Sequence, residues 1–311
     1  MEQRRLGTSD LVVSAVGLGG NNFGGRLDLG ATQRVVYRAL DAGITLIDTA
    51  DLYNDGASED CLGKVLGERR KDVVLATKFG LAADATGKAM GASRRAIVAA
   101  LEASLRRLRT DWIDLYQLHR PDAATPIEET LRALDDLERA GKVRHIGCSN
   151  LSAAEVVAAQ ETARRHGVAA FVCCQDQYSL LARDIEAELI PAMQARGLSL
   201  LPYFPLASGL LTGKYRRDAM PSDARLSYSA RHSDRFVSER NWRIVGDLEA
   251  FCTRRGRKLI ELAFAWLLRK PMVASVIAGA STPDQVEANV GAHGWILSAD
   301  ELAEVDRMTR P

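Results

Sequence analysis

An excess of charge of one sign is nearly absent from this chain. Lys and Arg total 41 and Asp and Glu 40, a formal net charge of +1, so no global field favours nucleic acid or an acidic membrane as partner. Long hydrophobic runs are lacking as well. Charge or Pro interrupts every apolar stretch well before membrane-spanning length. Cysteine is scarce and irregular: the 5 Cys, two of them the adjacent Cys173 and Cys174, give neither a disulfide framework nor a zinc-ligand spacing. The stretch from Met1 to Gly7 has no apolar core of a signal peptide, so a reducing cytoplasm is the expected compartment. No linker or shift of composition divides the 311 residues, and residues 1–311 read as one domain, a length that suits one large α/β barrel.

What is present centres on one stretch, G-I-T-L-I-D-T-A-D-L-Y, from Gly43 to Tyr53. An apolar run follows a helix-ending Gly and reads as a buried strand that delivers Asp48, with Tyr53 in the loop beyond. Similar strand patterns occur at 16–20, 44–48, 73–77, 112–118, 143–147, 171–174, 198–201 and 273–277. Helical patterns separate most of them, at 31–42, 58–66, 93–108, 126–140, 153–166, 185–196, 241–255, 259–268, 283–290 and 299–308, with Ser58 a plausible N-cap. Alternation of this kind predicts parallel strands with crossover helices. Eight such units in this length predict a (β/α)8 TIM barrel. Residues 4–15 read as an N-terminal β-hairpin that plugs the barrel floor, and 204–240, rich in Gly, Ser, Arg and Pro, as a long loop after the seventh strand. The glycines between Gly17 and Gly25 do not match the dinucleotide fingerprint, and a loop at a strand end is the favoured reading.

In a barrel of this type the C-terminal strand ends carry the chemistry. Asp48, Tyr53, Lys78 and His119 fall at or just past consecutive strand ends. Each alone has a structural reading, as a loop cap or a satisfied polar group; joint placement is what raises them. A phenol is a weak acid, with an ordinary pKa of about 10. An ammonium such as that of Lys78 favours its phenolate, Asp48 would hold Lys78 charged, and His119 could donate to a substrate carbonyl. Together they would supply general acid catalysis and oxyanion stabilisation.

With these residues in place the sequence resembles the aldo-keto reductases over nearly its whole length. Asp48, Tyr53, Lys78 and His119 match the family's tetrad in their local contexts. The resemblance implies hydride transfer between a nicotinamide cofactor and an aldehyde or ketone, with Tyr53 the general acid. It assigns Ser149, Asn150 and Gln175 to the nicotinamide carboxamide and Tyr203 to the face of the ring. S-G-L-L-T-G-K-Y from Ser208 resembles the segment that wraps the pyrophosphate, and V-I-A-G-A-S-T-P-D-Q-V-E-A-N-V from Val276 the adenosine-phosphate segment. Cofactor contacts are thus implied for Gly19, Pro205, Leu206, Gly209, Leu211, Lys214, Ile277, Gly279, Ser281, Thr282, Gln285 and Asn289. Other readings exist: Ser149 and Asn150 could cap the helix that follows, and Asn289 could face solvent.

The chain departs from the family pattern at three places. Ser281, Thr282 and Gln285 stand where many members carry Lys or Arg against the 2′-phosphate, Ala288 replaces a Glu that binds adenine, and Cys148 precedes Ser149 with no role assigned. NADPH is expected over NADH. The expected substrate is a small-molecule carbonyl compound whose pocket would be lined by Asn21, Asn22, Phe23, Leu52, Tyr53, His119 and the segment 222–235 with Arg225, Arg231, His232 and Arg235. Those basic residues read first as a solvated face and second as ligands for a substrate phosphate or carboxylate. Sugars, phosphorylated trioses, pyridoxal, steroids and quinone-derived carbonyls all stay open, and no oligomeric state is read from the sequence. Two other functions compete: a cofactor-bound redox-sensing subunit of a larger assembly, and an aldolase with Lys78 as Schiff base.

Overall fold

A computed structural model describes residues 1–81, 91–222 and 224–310; Asp223, within the expected loop, lies outside them. The chain opens with an antiparallel pair, β1 (Gln3–Arg5) and β2 (Val12–Ser14). Eight parallel strands follow: β3 (Val16–Gly19), β4 (Leu46–Asp48), β5 (Val74–Phe79), β6 (Ile113–Leu118), β7 (Val143–Ser149), β8 (Cys173–Gln177), β9 (Ser199–Tyr203) and β10 (Val276–Gly279). They lie in the order β10-β3-β4-β5-β6-β7-β8-β9. The ends of that order meet through backbone bonds at 2.7 Å from Leu200 N to Met272 O and 3.1 Å from Ala274 N to Leu200 O. The sheet therefore closes into a (β/α)8 barrel, as the alternation predicts.

The helices are α1 (Leu29–Asp41), α2 (Ala57–Leu66), α3 (Arg94–Leu108), α4 (Ile127–Arg139), α5 (Ala153–His166), α6 (Leu189–Gln194), α7 (Arg225–Tyr228), α8 (Ala230–Phe236), α9 (Glu239–Thr253), α10 (Leu259–Leu268), α11 (Pro283–Gly291) and α12 (Ala299–Thr309). Among the described residues no helix is long and apolar enough to cross a membrane. Periodicity explains how the ring is held. In α3 the apolar face Ile97, Leu101, Leu105 and Leu108 is buried while Arg94, Arg95 and Arg106 turn outward, and each such apolar side chain removed from water contributes about 1.5–3 kcal/mol.

A second apolar cluster lies inside the barrel, where Leu6, Leu11 and Val13 meet Leu46, Ala76, Leu115, Leu201 and Ala274. The hairpin does plug the floor. Its corner is fixed by Gly7, whose N–H donates to Ser199 Oγ at 2.7 Å. Gly7 has φ +57° and a Cβ there would lie 2.1 Å from Val172 O, so no other residue fits.

The structure corrects three local expectations. Ser58 is not a cap: α2 starts after Gly56, in the left-handed region at φ 86°, and Ser58 Oγ turns inward to donate to Gly20 O at 2.8 Å. The helix expected over 185–196 splits into a 3-10 turn, Asp184–Glu186, and the short α6. Pro191 is the cause, because proline has no N–H and must sit in a first turn. The expected long loop holds a 3-10 segment, Ala207–Thr212, and the helices α7 and α8, anchored by buried Tyr215, Leu226 and Phe236. Pieces this short leave no periodic pattern to read.

Candidate active site

The turn after β4 builds the site. Thr49 N donates to Ala76 O, Asp51 N to Lys78 O and Tyr53 N to Ala50 O, at 2.9, 3.2 and 3.1 Å. Asn54, Asp55 and Gly56 then run through the left-handed region at φ 52°, 55° and 86°. Such strain in non-glycine residues persists only where the surroundings fix it. Here Asn54 Nδ2 donates to Phe23 O at 2.7 Å and Asn21 O at 3.2 Å. The strained run therefore holds Tyr53 beside the end of β5.

Lys78 is fully buried and Asp48 2 % exposed. The Lys78 ammonium donates to Asp48 Oδ2 at 2.6 Å, Thr49 O at 2.9 Å and Tyr53 Oη at 3.3 Å. Asp48 Oδ1 accepts from Gln175 Nε2 at 2.8 Å and Gln117 Nε2 at 3.2 Å. His119 closes the ring edge-on, its centroid 6.0 Å from that of Tyr53. All four predicted tetrad residues are thus brought together.

Burial opposes the charge on Lys78, but Asp48 and Tyr53 outweigh it and its pKa is raised. Burial also raises the Tyr53 phenol, and Lys78 pulls it only part of the way back. The expected net lowering is not what the enclosed site produces, because desolvation exceeds the pull of one ammonium already shared with Asp48. Tyr53 is accordingly a neutral hydrogen-bond donor. His119 is pushed down to about 3 by burial and then by Lys78 and Arg120, so its imidazole is neutral; its Nδ1 is buried and unpartnered.

A second tier lies beside the first. Ser149 Oγ donates to Gln175 O at 2.7 Å, and Asn150 Nδ2 donates to Ser149 Oγ at 2.9 Å and His119 O at 3.0 Å. Tyr203 Oη donates to Asn150 Oδ1 at 2.7 Å. Neither Ser149 nor Asn150 caps a helix; Ser152 does so for α5, in a capping box with Glu155. Asn150 is left-handed at φ 61°, another strained residue.

The remaining residues fall around the same end of the barrel. Phe204, Ala207, Ser208 and Gly209 are left-handed at φ 51°, 46°, 56° and 98°, so the segment with Pro205, Leu206 and Leu211 curls into a tight cradle. A Cβ on Gly209 would lie 3.1 Å from Lys214 Cε, and one on Gly19 3.3 Å from Ile277 Cγ2. Beyond Gly279, Thr282 caps α11 and Gln285 Oε1 accepts from Ser281 N at 2.8 Å. Asn289 is buried, not solvent-facing. Asn22 Nδ2 reaches Ser281 Oγ at 3.4 Å and its Oδ1 accepts from Arg225 at 2.6 Å.

Leu52 is exposed at 38 % and Arg231 is exposed. Phe23 does not line an open pocket: it is fully buried in the core, with its carbonyl engaged by Asn54. Sequence reasoning passed over Gln117, a second donor to Asp48; its only signal is an amide inside an apolar strand. It also passed over Asp176, whose carboxyl burial pushes up to about 7, and the Thr49 carbonyl, which a sequence cannot display.

The profile of the Aldo/keto reductase family matches residues 15–310. The chain belongs to the aldo/keto reductase family. Among its relatives is the aldo-keto reductase YhdN of Bacillus subtilis, 34% identical over 98% of this chain and 93% of that protein. A probable voltage-gated potassium channel subunit beta of Oryza sativa is 35% identical, over 94% of this chain and 91% of that protein. A putative subunit of the same description from Schizosaccharomyces pombe is 36% identical, over 98% and 92%. Membership of the aldo/keto reductases supports an oxidoreductase that works with a nicotinamide dinucleotide on a small carbonyl compound.

Proposed function

We propose that this aldo/keto reductase uses NADPH, in the cytoplasm, to reduce an aldehyde or ketone reversibly to an alcohol, with Tyr53 as general acid. The observation that carries the reading is the Lys78 ammonium, held by Asp48 at 2.6 Å and donating to Tyr53 at 3.3 Å. The donor set suits the cofactor. Ser149, Asn150 and Gln175 offer the donors and acceptors of an amide, Tyr203 offers a ring face, and the left-handed residues Phe204, Ala207, Ser208 and Gly209 curl the backbone into a cradle. The cofactor, when bound, supplies the hydride. The neutral imidazole of His119 orients the carbonyl. Tyr53 hands its phenolic proton to the carbonyl oxygen, and Lys78 stabilises the phenolate left behind. Asp48 keeps Lys78 charged, and Gln117 and Gln175 keep Asp48 in place.

NADPH is favoured because Gln285, in the first turn of α11, is a residue that NADPH-using members of the family tolerate; with no Lys or Arg at 281, 282 or 285, NADH is less excluded than in most members. Fluorescence titration with NADPH and NADH, then an aldehyde panel on whichever binds, tests the reading. Tight NADPH binding with turnover of 4-nitrobenzaldehyde is expected; no binding of either nucleotide would overturn it. A redox-sensing subunit with little turnover is the second reading, favoured by the names of the channel-subunit relatives. Binding of NADPH without single-turnover oxidation by the aldehyde would select it.

A further inference from the structure

Four arginines gather on the rim of this site, from separate parts of the chain. Arg120 follows His119 beyond β6, Arg225 lies on α7, and Arg231 and Arg235 lie on α8. Arg120, Arg231 and Arg235 are exposed. The link from α8 to the reacting groups is short. Arg235 lies 5.7 Å from the ring centroid of Phe204, which packs edge-on against Tyr203 at 5.3 Å. Tyr203 in turn donates to Asn150, which donates to the backbone of His119. Arg235 and Arg120 both act electrostatically on the Tyr203 phenol, each pulling it down, so both lie near it. His232 sits among Arg225, Arg231 and Arg235, and burial followed by these three cations holds its imidazole below the ordinary value.

None of the four arginines has a carboxylate partner among the described residues, and Asp234 on the same helix pairs with none of them. That differs from their immediate neighbours. Arg216 holds Glu249 at 2.8 Å and Arg217 holds Glu239 at 2.5 Å. With a net charge of only +1 over the whole chain, a local excess of unneutralised cations is not a by-product of a basic protein. Like charges crowded at a cleft repel one another and concentrate an anion there. Arg225 alone is tied toward the cofactor side, through Asn22 to Ser281. Arg120 acts on both His119 and Tyr203, Arg235 on Tyr203, and Arg231 on His232.

We propose that Arg120 and Arg235, backed by Arg231, form an anion subsite, so that the carbonyl substrate carries a carboxylate or phosphate. The proposal rests on the reductase reading above and adds the substrate class. Its test compares matched pairs at saturating NADPH: 4-carboxybenzaldehyde against 4-nitrobenzaldehyde, and glyceraldehyde 3-phosphate against glyceraldehyde. Two or three exposed charge contacts predict that kcat/KM favours the anionic member of at least one pair by about five-fold or more. The preferred pair tells carboxylate from phosphate. That preference should shrink in about 0.5 M KCl and fall toward one in Arg120→Gln/Arg235→Gln, whereas Arg217→Gln should keep it. Turnover of the neutral aldehydes with no anionic preference in either pair overturns the subsite and leaves the reductase reading standing. A double variant that loses NADPH affinity but keeps the preference also overturns it, since the arginines would then serve the cofactor. No turnover of any aldehyde would overturn the reductase reading and the subsite with it.

Discussion

Replacing Lys78 with Met keeps the length of the side chain and deletes its charge. The variant strands Asp48, 2 % exposed, with Gln117 and Gln175 as its remaining donors. It also leaves the Thr49 carbonyl without the donor it has at 2.9 Å. Removing one partner of a buried pair costs about 3–5 kcal/mol. Two retained amide donors offset part of that, so about 3 kcal/mol is expected. Asp48→Asn should cost a similar amount, because it leaves an ammonium enclosed without its counter-ion. The double variant carries neither charge, and an Asn at 48 can still accept from both glutamines. It should recover about 2 kcal/mol relative to either single change. Urea unfolding followed by fluorescence of the 4 Trp residues measures all three. The outcome is independent of catalysis, which every variant should lose. A Lys78→Met protein within about 1 kcal/mol of wild type, or a double variant no more stable than the singles, would refute the claim that the pair is a closed electrostatic unit.

Other consequences can be checked on the same samples. Tyr53→Phe should lower kcat by about 10²–10⁴-fold, the range for a general acid, with NADPH affinity retained; wild-type turnover would show that another group supplies the proton. His119, at about 3, should contribute no limb to the pH–rate profile between about pH 5 and 8, and a limb abolished in His119→Gln would contradict this. Asp51 is raised to about 7 by burial and then by Glu59, against about 3.9 when unfolded. A raised folded pKa gives stability that is present below the unfolded value and lost as pH climbs through about 7. Asp51→Asn should therefore become more stable relative to wild type by about 1–3 kcal/mol between about pH 5 and 8. A difference flat across that range would count against the shift.

The barrel was legible because its units are long and regular. The alternation of apolar runs with helices such as α3 and α5 carries topology on its own. The tetrad was legible because parallel strands deliver consecutive strand ends to one rim. Ser58 was misread because a hydroxyl ahead of a helix looks the same whether it caps or turns inward; Gly56 carried the better signal, through its positive φ. Phe23 was placed at the pocket because it follows a strand end, yet an aromatic side chain there can fold back into the core, as this one does. Gln117 and the Thr49 carbonyl became visible only when β4, β5 and β6 lay side by side. The arginines of α7 and α8 were visible as residues. Their lack of carboxylate partners among the described residues was not, because ion pairing is a property of the fold.

The hairpin that seals the floor has a consequence for synthesis. Arg4 donates to Val273 O at 2.8 Å and Leu268 O at 3.0 Å, and Gly7 to Ser199 Oγ at 2.7 Å. The hairpin residues thus leave a ribosome well before their partners at 199, 268 and 273 do. Until β9 and β10 emerge, Leu6, Leu11 and Val13 have no closed barrel to enter. A nascent chain of this protein carries its own stopper unseated until those strands emerge. A chain cut short before residue 273 would keep that apolar hairpin exposed, available to chaperones and proteases.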